Sequence, residues 1–242
     1  MRKNLLALIA LSILLTGAVV TTSYASEAPI PPKQDWSFKK FPPKWDVKEV
    51  FRGYQVATQV CLSCHSFKYI SHRDMMKLGF SEEQATKLAD DMGMKLNDKL
   101  ISALSPEAAQ STFGKQPPDL SVMALARHHG VDYIDALLTG YGEAPKDFHV
   151  PEGKHFNHYF PGHVIAMPPP LTTEGQVTYV DGTKATVPQM AHDVAAFIAW
   201  TSQPEKITRE HLGVYVLMYL LIFATLSFLL MKHIWADVKK KK

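Results

Sequence analysis

Two long apolar stretches bracket this chain, and the segment between them places its apolar residues mostly at helical spacing. Residues 5–20 are almost unbroken apolar, interrupted by Ser12, Thr16 and Gly17, and follow the basic start Met1-Arg2-Lys3-Asn4. Thr21 and Thr22 lead into Ser23-Tyr24-Ala25, a small-x-small site. That order predicts an export signal over residues 1–25, cleaved after Ala25, with an uncleaved anchor as the competing reading. The second stretch, residues 212–231, carries no charge. About 20 apolar residues cross a hydrocarbon core of roughly 30 Å as a helix, so it predicts a transmembrane segment. Tyr215, Tyr219 and Trp235 suit its interfaces, and Lys232, His233 and the lysines at 239–242 lie beyond it. By the positive-inside rule, residues 232–242 form a basic cytoplasmic tail and residues 26–211 a domain on the outer, periplasmic side of a bacterial inner membrane.

Within that domain, Asp46 with Glu49 three residues on reads as a helix start. Val47, Val50, Phe51, Tyr54, Ala57 and Val60 then recur on one helical face. Ser81 with Gln84 starts another helix through Leu88, and shorter ones are expected over 121–127 and 131–138. Residues 141–170 are rich in Pro, Gly and His without periodicity, a long loop of the kind that usually carries function. Residues 176–180 and 183–187 alternate around Asp181-Gly182 and predict a hairpin. A last helix starts near Pro188, carries Met190, Val194, Phe197 and Ile198 on one face, and ends before Pro204. The pattern reads as mostly α, with long loops, one small β-hairpin and one C-terminal transmembrane helix.

Composition changes little. In 242 residues, 46% hydrophobic and 20% charged content excludes a disordered chain, a collagen-like repeat and a polytopic membrane protein. Two cysteines exclude a disulfide scaffold. The formal +3 matters only once it is divided by segment. Arg2 and Lys3 leave with the signal, and Lys232, Asp237 and the lysines at 239–242 lie beyond the anchor. That leaves residues 26–211 with a net of −3, which removes a nucleic-acid reading. Glu82, Glu83, Asp90, Asp91, Asp98 and Glu107 face only Lys87, Lys95 and Lys99 within 81–107. This stretch either steers a basic partner or is a solvated acidic face.

The chemistry sits in Cys61-Leu62-Ser63-Cys64-His65. Cys-x-x-Cys-His is the c-type haem attachment pattern. Two thiols one helical turn apart can each add to one vinyl group at a haem edge, and the adjacent His reaches the iron from the same side. A redox dithiol would be expected beside a βαβ pattern, and a zinc site needs about four ligands; neither is present in the sequence. For the sixth ligand, Met190 and Met123 fit helical faces as core fillers. Met167 instead sits in the proline-fenced run from Phe160 to Pro170, which can hold a thioether stiffly. His163, His155, His158, His128 and His129 remain competitors for bis-His ligation. His/Met ligation would raise the reduction potential and suit electron transfer.

These residues, with Pro117-Pro118-Asp119-Leu120-Ser121, Ala126-Arg127-His128-His129-Gly130, Asp132-Tyr133, Leu137-Leu138-Thr139-Gly140-Tyr141, Tyr159-Phe160-Pro161-Gly162 and the run from Met190 to Trp200, resemble the cytochrome c1 family across nearly the whole mature chain. The resemblance implies a class I cytochrome c-like domain with one covalently attached haem c. It implies that Cys61 and Cys64 hold the haem, that His65 and Met167 are the axial iron ligands, that Arg127 pairs with a propionate, and that Tyr133 and Pro118 lie near the haem. It further implies an electron-transfer role in the cytochrome bc1 complex, a dimeric assembly, with cytochrome b and the Rieske iron–sulfur protein as partners and a c-type cytochrome as acceptor. The chain itself would not be an enzyme; the activity would belong to the complex. The alternative is a tethered cytochrome feeding a terminal oxidase or reductase directly. Two departures stand out: Thr112-Phe113 replaces an Asn-Asn common in the family, and Gly142 replaces a common Cys.

Overall fold

Asp46 starts the first helix as its position predicts, its carboxylate accepting from the backbone N–H groups of Lys48 and Glu49 at 3.0 and 3.2 Å. The computed structural model describes residues 29–240, so the export signal read over 1–25 and the last two residues of the basic tail lie outside the described residues. After a 3₁₀ turn at Ser37–Lys39 come α1 (Val47–Gln59), a 3₁₀ turn at Cys61–Ser63, β1 (Phe67–Ser71) and a 3₁₀ stretch at His72–Leu78. Then follow α2 (Glu82–Asp90), β2 (Lys99–Leu100), α3 (Pro106–Phe113), α4 (Met123–Ala126) and α5 (Val131–Thr139). β3 (His155–Phe156), β4 (Val164–Ile165), α6 (Val187–Ser202) and α7 (Lys206–Lys240) complete the described chain. The expected class holds: mostly helical, with two small antiparallel strand pairs, β1–β2 and β3–β4.

The core is built where α1 crosses α6. Val50, Tyr54, Val56 and Ala57 of α1 bury against Met190, Val194, Phe197 and Trp200 of α6. Gly53 makes the close crossing possible, since a Cβ there would lie 2.0 Å from the backbone oxygen of Asp193. Beside it, Arg52 forks onto the fully buried Asp193 with two bonds of 3.0 Å and reaches Asp181 with a third. That bidentate, charge-assisted geometry fixes α1, α6 and the segment before α6 to one another. α5 also packs on α6.

The hairpin expected over 176–187 does not form strands. Its turn is present, with Gly182 at φ +75° and its N–H donating to Tyr179 O at 3.2 Å. The flanks are joined by Gly175 N–H to Ala185 O at 2.7 Å, while Val177, Tyr179 and Ala185 bury into the core. Thr186 is drawn off as the N-cap of α6, accepting from Gln189 N–H, which removes the end of the second strand. The alternation recorded burial rather than cross-strand pairing. Instead, β3 and β4 arise within the segment read as a long loop, paired His155 to Ile165 and Phe156 to Val164.

α7 is separated from α6 by Gln203-Pro204-Glu205 and is continuous well beyond the 212–231 segment. Its apolar part, Lys206–Ala236, would extend about 46 Å at 1.5 Å per residue. Large apolar side chains are exposed along it from Leu212 to Trp235, so it is long and apolar enough to span a membrane.

Candidate functional site

α1 ends one residue before the Cys-x-x-Cys-His motif, and the chain tightens there. Val60 N–H closes the last turn onto Val56 O at 2.9 Å, then Cys64 and His65 N–H both turn back to Cys61 O at 3.1 and 2.8 Å. This compact turn sets Cys61, Cys64 and His65 in the wall of one cavity of about 460 Å³. Tyr133, Ile134, Leu137 and Leu138 of α5 supply another part of the wall, and Ile198 comes from α6. Ile165, Ala166, Met167, Pro168 and Pro170 line it from the stretch beginning at β4.

The segment from Pro117 to Ser121 is strapped alongside the motif. Leu120 N–H donates to Ser66 O at 2.8 Å, and the Asp119 carboxylate accepts from Lys68 N–H at 2.9 Å. The strap places the Pro118 carbonyl 2.7 Å from His65 Nδ1. A carbonyl only accepts, so Nδ1 carries the proton and the Nε2 lone pair is left for a metal. Burial lowers the His65 pKa against the opposing pull of that bond and of Asp119, which favours the neutral, ligating ring. Burial, helped by Cys64, pushes the Cys61 thiol up to about 12.

Met167 lies in the cavity wall, half-buried, and its backbone oxygen accepts from Tyr141 Oη at 3.1 Å. Burial raises the pKa of Tyr141, so its phenol stays a donor. Met123, read from sequence as a core filler, lines the same cavity from α4 while also packing on the core. Among the described residues, His65 is the one histidine in the cavity wall; His128, His129, His155, His158 and His163 lie outside it. His163 is stacked on Phe156 with ring centroids 5.6 Å apart, its Nδ1 3.3 Å from Asn157 O.

Arg127 lies on the cavity rim, exposed, with one guanidinium N–H on the carbonyl of Ala126 at 3.2 Å. Tyr133 is buried in the wall; burial raises its pKa and the charge of Arg127 opposes that rise. Pro118 lines the cavity as well as holding His65. Phe113, noted above as part of the Thr112-Phe113 departure, also lines it, as does Lys115, which carried no signal in the sequence. A mostly apolar slot with two thiols, a preset imidazole, a thioether and cations at its edge fits an apolar macrocycle bearing two carboxylates.

The cytochrome c1 family model matches residues 36–238. The chain belongs to the cytochrome c1 family. It is 38% identical over 240 residues to cytochrome c1 of Rhodospirillum rubrum, covering 86% of this chain and 88% of that protein. It is 37% identical over 229 residues to cytochrome c1 2, a mitochondrial heme protein of Arabidopsis thaliana, covering 87% and 74%. A protein named cytochrome b/c1 from Bradyrhizobium diazoefficiens is 34% identical over 271 residues, covering 96% of this chain and 39% of that longer protein. Cytochromes are haem proteins, and with the attachment motif in the cavity wall the cofactor is one covalently attached haem c.

Proposed function

We propose that this chain is the electron-transfer subunit of a cytochrome bc1 complex, accepting one electron from the Rieske iron–sulfur protein and passing it to a periplasmic c-type cytochrome. The observation that carries this reading is the single cavity receiving Cys61, Cys64, His65 and Met167 together in a chain of this family. Bound haem supplies a one-electron Fe(III)/Fe(II) couple. Cys61 and Cys64 would hold it covalently through thioether bonds, an attachment that needs no external redox partner. His65 would offer Nε2 to the iron with its ring held by Pro118, and Met167 would offer its sulfur. Arg127 at the rim would pair with a propionate through charge-assisted hydrogen bonds, while Tyr133 and Pro118 would pack beside the macrocycle.

The remaining assignments follow from the tether. Lysines beyond the apolar part of α7 favour a cytoplasmic C-terminus and a periplasmic haem domain. The Bradyrhizobium relative whose name joins cytochrome b to c1 supports cytochrome b as a neighbour. On this reading the complex is dimeric, and ubiquinol oxidation belongs to it and not to this chain. All six acids between 82 and 107 are exposed, which supports steering of a basic acceptor.

The test is purification of the full-length chain from membranes through a tag. Cytochrome b and the Rieske protein should copurify, and the attached haem should be reduced by ubiquinol in that preparation. Copurification with a terminal oxidase instead would replace this reading with direct delivery. Carbon monoxide binding to the reduced protein would replace it with an open-site haem.

A further inference from the structure

The chain from Ala166 to Leu171 runs outside regular structure, so the placement of Met167 depends on what holds that loop. Behind it lies Asn157, fully buried, immediately after β3 and bridged to Tyr141. Its side chain uses both ends. Nδ2 donates to Leu137 O at 2.8 Å, one of the carbonyls that the end of α5 leaves without a helical partner. Oδ1 accepts from Tyr159 and Phe160 N–H at 3.0 and 3.2 Å. The backbone adds a second grip: Asn157 N–H donates to His163 O at 2.9 Å. The turn from Phe160 to His163 leads straight into β4, and Met167 follows two residues after it.

We infer that Asn157 is the positioning residue of the methionine loop, joining the cavity-lining helix α5 to the turn that delivers Met167. The inference rests on the reading of Met167 as an axial ligand. The surroundings are shaped to the amide. At Gly140 a Cβ would come within 3.1 Å of Asn157 Oδ1 and 2.7 Å of the Tyr159 ring, so glycine leaves room for it. His158 N–H closes onto Gly140 O at 2.8 Å, which keeps the end of α5 against the loop. Beyond this network, the loop's polar contacts among the described residues are Tyr141 Oη on Met167 O and Gln176 Nε2 on Pro170 O. A thioether on three rotatable bonds sets little geometry by itself, so the backbone must set it. Removing one buried partner leaves Leu137 O and two N–H groups unsatisfied, and the loop is what can relax.

The test uses the full-length, haem-loaded chain in its purified membrane complex. Three variants are compared with wild type: Met167→Leu, Asn157→Ala and Asn157→Asp. The Asp variant keeps the acceptor for Tyr159 and Phe160 and loses the donor to Leu137. The readouts are the methionine-to-iron(III) charge-transfer band, imidazole binding to the ferric haem, haem content, and the temperature of helix loss. Met167→Leu should abolish the band. Both Asn157 variants should keep haem content but lose the band at a temperature well below helix loss. Imidazole, admitted only when the methionine is off, should bind about tenfold more tightly in Asn157→Ala. Where Asn157→Ala does not mature, Asn157→Asp carries the same comparison. A band lost only together with the helices, with imidazole binding unchanged, would overturn the inference and leave Met167 as ligand. A band that survives Met167→Leu would overturn the axial assignment itself, and the role of Asn157 with it.

Discussion

His65 and Pro118, 53 positions apart, meet at 2.7 Å, with the imidazole Nδ1–H donating to the proline carbonyl. The bond fixes the tautomer and raises the basicity of the free nitrogen, which, with His65 as the proposed iron ligand, would stabilise the ferric state. Pro118→Gly keeps a carbonyl but frees the backbone that aims it. The reduction potential should therefore rise by a few tens of millivolts, a tenfold shift for one electron being about 59 mV. Potentiometric titration of the two proteins checks this; an unchanged or lowered potential contradicts it.

Met167 and Met123 both line the cavity, yet they are held differently. Met123 sits on a four-residue helix against the core, whereas the Met167 backbone is pinned by Tyr141. Met167→Leu should lower the potential by about 0.1 V or more, within the span that axial ligands set, while Met123→Leu should change it little. The reverse pattern would exchange the two roles.

Much of this site was legible because covalent attachment demands a local spacing, and Cys61, Cys64 and His65 carry it in five residues. Asp46 and Ser81 were legible for the same reason, since a cap acts within three positions. What escaped depends on distant partners. The carbonyl of Pro118 is the same in any residue type, so its aim at His65 leaves no sequence signal. Asn157 reads as one polar residue in a loop until Leu137 and Phe160 close around it. Met123 shows a helical-face pattern whether it faces core or cavity. The 176–187 alternation was genuine, but Thr186 served α6 and Asp181 served Arg52.

Arg52 and Asp193 should be the most sensitive ion pair in the domain. Asp193 is wholly buried and receives two guanidinium bonds, so removing Arg52 strands a charge in the core. Arg52→Leu should cost about 3–5 kcal/mol, and Arg52→Leu with Asp193→Leu should recover most of it. Urea denaturation of both variants measures the difference; equal losses in the single and double variants would remove the pair from the account.

The exposed acids of the 81–107 stretch make a rate prediction. If they guide a basic cytochrome, second-order electron transfer should slow several-fold as ionic strength rises from about 10 to 200 mM, because the Debye length shortens from about 30 Å to below 8 Å. Neutralising Glu82, Glu83, Asp90 and Asp91 together should flatten that dependence in stopped-flow traces. A salt response identical to wild type would leave the stretch as a solvated face.

His192 makes the stability of the domain depend on pH. Its ring is stacked on Trp36 with centroids 4.2 Å apart and planes 6° from parallel. Nε2 lies 2.9 Å from the Glu49 carboxylate and Nδ1 4.0 Å from that of Asp135. The hydrogen bond that His192 Nε2–H donates to Glu49 outweighs burial and raises the His192 pKa, with Asp135 and Asp193 adding to the rise. The folded state therefore binds the proton more tightly than the unfolded chain. That contribution is fully present below the ordinary histidine value near 6.5 and is lost as pH climbs through the raised, folded value. Burial likewise raises Asp135, whose contribution also fades with rising pH. Around pH 6.5 the lowered values of His65 and His72 act with the opposite sign, so the share of His192 is read as the wild-type urea midpoint less that of His192→Gln. His192→Gln keeps a donor for Glu49 but cannot titrate, so that difference should shrink as pH rises from about 6 to 8. A midpoint that drops equally in both proteins would place the titrating group elsewhere.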